Sequence, residues 1–137
     1  MKRATVLAFT IAASGCSLDA TTPQMCTMVF AYVTVKVENA ASQPVADASV
    51  DVIRVATGRS IVCAGDQTQD CVDPTAFFPE AGTYAVFHDG LAVSKAGEAF
   101  RVIATKGASR AEAVLRIGSD GCHVEKRSGP DVLTLAP

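Results

Sequence analysis

Two runs of alternating residues, joined by a short polar break, constrain this chain more than anything else in it. Val33, Val35 and Val37 alternate with Thr34, Lys36 and Glu38, the period-2 pattern of a strand with one face buried. Asn39 to Ser42 is small and polar, suited to a turn. Pro44-Val45 then leads into a second run, with Ala48, Val50 and Val52 on one side and Ser49 and Asp51 on the other. Strands of this kind bury their apolar faces against another layer, so the pattern calls for an all-β domain.

Further segments carry the same signature. The first strand is expected over Thr27 to Glu38, its early part Met28-Val29-Phe30-Ala31-Tyr32 apolar enough to be covered on both faces. A second is expected over Ala48 to Val55, a short third over Ser60 to Cys63, and a fourth over Gly82 to His88, with Tyr84, Val86 and His88 on one face. Glu98 to Thr105 directs Phe100, Val102 and Ala104 inward. In Arg110 to Ile117 the alternation of Ala111, Ala113, Leu115 and Ile117 favours strand over the helix preference of Ala, Glu, Arg and Leu. Val132 to Leu135 closes the chain. About seven short strands with turn signals between them, in a chain of 137 residues, fit one sandwich. Ala64 to Glu80, punctuated by Gly65, Asp66, Asp70, Asp73, Pro74 and Pro79, is the least regular stretch, and a loop this long is functional or stapled.

The Pro44-Val45-x-x-Ala48-x-Val50 stretch after a valine strand resembles the opening of the carboxypeptidase regulatory-like (transthyretin-like) β-sandwich family. Gly82 to Val86, Phe100 to Ala104 before Gly107, and Cys122 to Val124 before Val132 to Leu135 fit the same layout. The likeness covers about residues 27 to 135 and implies a single Greek-key sandwich domain over 27–137; loose alternations of this kind specify a fold and no activity.

The N-terminus has the build of an export signal over residues 1–15: Lys2-Arg3, the mostly apolar run Ala4 to Ala13, then small residues. Ala13-Ser14-Gly15-Cys16 resembles a bacterial lipobox, which implies acylation of Cys16. Ser17 after the cysteine then implies outer-membrane sorting, with residues 16–26 a lipid-anchored tether. Five cysteines in an exported chain leave one unpaired; a lipidated Cys16 leaves Cys26, Cys63, Cys71 and Cys122 as an even set. Of the three pairings open to four cysteines, closeness in sequence favours Cys63–Cys71, which leaves Cys26–Cys122. No later apolar run is long enough to cross a bilayer.

The chemistry sought in the remaining residues does not assemble. Formal charge is −2 and no basic stripe exists, which argues against nucleic acid. His88 and His123 are the only histidines, and nothing flanking either resembles a nucleophile elbow. No CxxC or HxxxH spacing suggests zinc, and Asp66, Asp70 and Asp73 do not follow a calcium-loop spacing. Hydroxyisourate hydrolases share this sandwich and end in Tyr-Arg-Gly-Ser; this chain ends in Leu133-Thr134-Leu135-Ala136-Pro137. The two-Tyr, two-His iron site of intradiol dioxygenases would need Tyr32, Tyr84, His88 and His123, which lack its flanking pattern. Thr34 to Val37 resembles the lysine strand of collagen-adhesin B-type modules, yet Lys36 is expected outside the core and the partner Asn is missing. Glycan modules on such sandwiches use Trp platforms, and this chain has no Trp. Phe77 and Phe78, between Pro74 and Pro79, are the candidate exposed patch, against the favoured reading of a hydrophobic plug over one end of the sandwich. The expectation is a non-catalytic lipoprotein without cofactor, held to a membrane and meeting a protein or glycan partner. The alternative is a ligand-binding or adhesion module using the 64–80 loop.

Overall fold

The structure is a computed structural model that describes residues 25–64, 70–76 and 80–137. The described chain is all-β: β1 Tyr32–Glu38, β2 Ser49–Arg54, β3 Arg59–Ser60, β4 Thr83–His88, β5 Glu98–Lys106, β6 Ser109–Ser119, β7 Val124–Ser128 and β8 Val132–Thr134. They form two sheets, one ordered β4-β1-β8 and the other β3-β2-β5-β6-β7. Most neighbours run antiparallel, but β1 and β8 pair in parallel, Lys36 to Glu38 against Val132 to Thr134.

The alternation at the start of the chain sets the core. Val33, Val35 and Val37 are buried from one sheet, and Val50, Val52, Phe100, Val102, Ala104, Leu115 and Ile117 from the other. Phe87 of β4 meets Phe100 of β5 with ring centroids 4.9 Å apart, joining the two layers. The Tyr84 hydroxyl, also buried, donates to Val45 O at 2.7 Å and accepts from Ala48 N at 2.9 Å. A buried phenol needs partners, and here they are the backbone groups that lead into β2. Gly82 has φ +76°, and a Cβ there would lie 2.9 Å from both Val37 O and Pro44 Cβ, so the approach to β4 depends on glycine.

Several expectations change. The first strand starts at Tyr32, and Met28, Val29 and Phe30 are exposed, because β4 ends at His88 opposite Tyr32 and offers earlier residues no partner. The fourth strand is buried on both faces, Ala85 and Phe87 as fully as Tyr84 and Val86. The third strand is Arg59–Ser60, with Val62 forming only an isolated bridge to Val72. Among the described residues strands number eight: β7 is the addition, since Glu125-Lys126-Arg127-Ser128 carries no apolar alternation, and it is held by pairing with the end of β6. Residues 110–117 are strand, paired with β5 from Lys106↔Ser109 to Glu98↔Ile117.

Candidate functional site

Where β4 ends, Asp89-Gly90 turns the chain, and the Asp89 carboxylate gathers donors from two distant segments. Its Oδ2 accepts from Ala31 N at 2.7 Å and from His123 Nδ1 at 2.8 Å, and its Oδ1 accepts from Val124 N at 2.7 Å. The side chain is 13% exposed. Burial alone would push the carboxyl up; hydrogen bonds from Ala31, His123 and Val124 outweigh it and hold the pKa below the ordinary aspartate value.

With Nδ1 donating to Asp89, Nε2 of a neutral His123 ring is an acceptor, and the Thr27 hydroxyl lies 2.7 Å from it. Thr27 follows Cys26 and His123 follows Cys122, and those cysteines are bonded, with Cα atoms 5.1 Å apart. The loop under the imidazole is itself fixed. Asp120 Oδ1 accepts from Cys122 N and His123 N, both at 2.7 Å, and these bonds hold its carboxyl below the usual range.

Hydroxyl, imidazole and carboxylate in line form the arrangement used for nucleophilic catalysis. Acyl transfer also needs N–H groups free to hold a developing oxyanion. Here Ala31 N and Val124 N are spent on Asp89, Cys122 N and His123 N on Asp120, and Gly121 N on the Ser119 hydroxyl. The arrangement ties the segment before β1 to the turn after β4 and to the start of β7.

The segment so held presents apolar side chains. Met25 is 93% exposed and Met28 103%, with Val29, Phe30 and Tyr32 also exposed. Phe30 packs its ring 5.2 Å from Tyr32 and 5.4 Å from His88. His88 Nδ1 accepts from Gly90 N, which leaves Nε2 to donate to Cys71 O at 3.0 Å.

Cys71 belongs to the second bridge, Cys63–Cys71. Backbone bonds Cys63 N to Val72 O and Val72 N to Ile61 O accompany it, and Val72 is fully buried beneath. Beside this staple lies a cavity of about 410 Å³ lined in part by Arg54, Arg59, Ser60 and Asp70. Arg54 is engaged there, donating to Glu98 at 2.6 Å and to Ala92 O at 2.9 Å.

Cys16, Asp66, Phe77 and Phe78 lie outside the described residues. Asp73 turns its carboxylate back on Thr75 N and Oγ1, and among the described residues no three His, Cys, Asp or Glu side chains gather to hold a metal. Lys36 points outward and pairs with Glu80 at 2.5 Å. In the sequence alone Asp89-Gly90 reads only as a turn, and nothing beside Thr27 marks it. The available signal was that pairing Cys26 with Cys122 necessarily brings their successors, Thr27 and His123, together.

No family model, curated protein or solved structure matches this chain.

Proposed function

We propose that this chain is a non-catalytic lipoprotein of the bacterial cell envelope: a signal peptide ends at Gly15 and lipid on Cys16 anchors the chain in the outer membrane. The carboxypeptidase regulatory-like sandwich that follows would meet a protein or glycan partner. The observation that supports this reading best is the commitment of the donors around Thr27, His123 and Asp89. They are spent on fastening residues 25–31, the segment through which a tether from Cys16 would pull. Fractionation tests the reading. Wild-type chain should sediment with membranes, and Cys16→Ser should be released or accumulate with its leader uncut; a Cys16→Ser chain that fractionates and migrates like wild type overturns it.

A second reading, a glycan-binding or adhesion module using the 64–80 loop, draws on the cavity beside the Cys63–Cys71 staple, where Arg59 and Asp70 supply polar contacts. A glycan array with no hits would count against it.

A further inference from the structure

A strand edge of this sandwich is left open, and its sequence is complementary to itself. β6 pairs with β5 along Ser109 to Ile117, but β7 pairs with its other side only from Arg116 onward. The turn between β7 and β8 covers the next stretch, since Gly129 sits so close that a Cβ there would lie 2.8 Å from Val114 O and 3.0 Å from Leu115 Cα. Among the described residues, nothing pairs with the free side of Ser109 to Ala113, and no loop backbone bond reaches it. Unpaired edges of this kind accept another strand unless something blunts them. The strands at the sheet ends are blunted: β3 and β8 have two and three residues, β7 carries Glu125, Lys126 and Arg127, and the edge of β4 is met by the 71–76 segment through Ala85 N to Pro74 O. Ser109 to Ala113 contains no proline, and the bulge in β6 comes later, at Arg116/Ile117.

The geometry of the β5–β6 hairpin says which groups point outward. A two-residue turn, Gly107-Ala108, makes Lys106 and Ser109 a hydrogen-bonded pair. In an antiparallel ladder such pairs alternate. Ala111 and Ala113 therefore direct N–H and C=O toward β5, whereas Arg110 and Glu112 direct theirs to the open side. Arg110 and Glu112 also share the solvent face, where they form an ion pair at 2.7 Å, and Ser109, Ala111 and Ala113 lie half-buried on the other face.

We propose that the Ser109 to Ala113 edge pairs antiparallel with the same edge of a second copy, about a two-fold axis at Ala111. This register sets Arg110 of each copy opposite Glu112 of the other. Both belong to hydrogen-bonded pairs, giving about four backbone bonds across the interface. Each Arg110–Glu112 contact within a chain is exchanged for one between chains. Moving the axis to Arg110 or Glu112 would oppose like charges, and moving it to Ala113 would oppose Arg110 to Arg116. The axis at Ala111 is also the midpoint of the open stretch. The inner face is lined with small side chains and borders a groove of about 500 Å³ formed by residues including Val45, Lys106, Ser109 and Leu135, which leaves space beside the incoming strand. Because both copies present the same strand, the interface closes as a dimer and does not propagate.

The test is cysteine cross-linking in the full chain within intact cells. Ala111→Cys places two thiols across the axis at a non-hydrogen-bonded pair, the spacing at which a disulfide closes. A dimer band on non-reducing gels is expected from Ala111→Cys and not from Val114→Cys. In the Ala111→Cys background, Arg110→Glu or Glu112→Arg alone should cut the dimer at least about fivefold, a fold-change matching cross-strand charge pairs, and both together should restore it. Failure of Ala111→Cys to dimerise, equal dimer from Val114→Cys, or a yield indifferent to the charge changes overturns the proposal.

Discussion

The two disulfides differ in what they close. Cys26–Cys122 spans 96 residues and joins the segment before β1 to the loop before β7, whereas Cys63–Cys71 spans 8 and closes one excursion between β3 and β4. Around the long bridge the fixing is redundant, with the Asp89 carboxylate, the His123 ring and the Thr27 hydroxyl repeating the same connection in hydrogen bonds. Around the short bridge the contacts among the described residues are local and include two backbone bonds, a buried valine and the Cys71 O to His88 contact. The long bridge holds distant parts of the fold together and the short one shapes a loop, so they should fail differently.

The largest difference should come from removing each bridge as a Cys→Ser pair and melting the chains under non-reducing conditions. Loop-closure entropy puts the long bridge at about 4–5 kcal/mol and the short one at about 2–3 kcal/mol. A larger loss of midpoint without Cys63–Cys71 would break the comparison.

Next is Asp89→Ala, which strands two backbone N–H groups and an imidazole in a site 13% exposed. The expected cost is about 3 kcal/mol by denaturant unfolding. A cost near zero would mean that the disulfide alone holds this region.

The smallest effect is in pH. Asp89 and Asp120 both have pKa values lowered by folding, so the stability they lend is full above the unfolded aspartate value and fades as pH falls through the folded values. Melting followed from pH 7 to pH 2 should therefore show loss from these groups only below about pH 4. In Asp89→Asn that acid slope should be shallower; an unchanged slope would remove Asp89 from the account.

Much of the fold was legible because period-2 alternation reports burial directly: the faces of Val33, Val35, Val37 and of Phe100, Val102, Ala104 are buried as read. The same logic failed at Met28 to Phe30, where apolarity stood for burial although the partner strand had already ended. It failed also at Glu125 to Ser128, where pairing along the sheet makes a strand that burial does not mark. The cluster at Asp89 could not be read from local pattern, because its members lie 34 to 96 residues apart and only the fold brings them together. The open edge of β6 is hidden in sequence for the same reason, since whether a strand has a neighbour is a property of the sheet.

The central claim is that residues 25–31 belong to the fold and not to a tether. Amide hydrogen exchange on the intact chain reads it most directly. Ala31 N, bound to Asp89, should be protected within about tenfold of the β1 valines and should lose that protection in Asp89→Ala. An Ala31 amide that exchanges in wild type as fast as that of Ala40 in the exposed β1–β2 turn would contradict it.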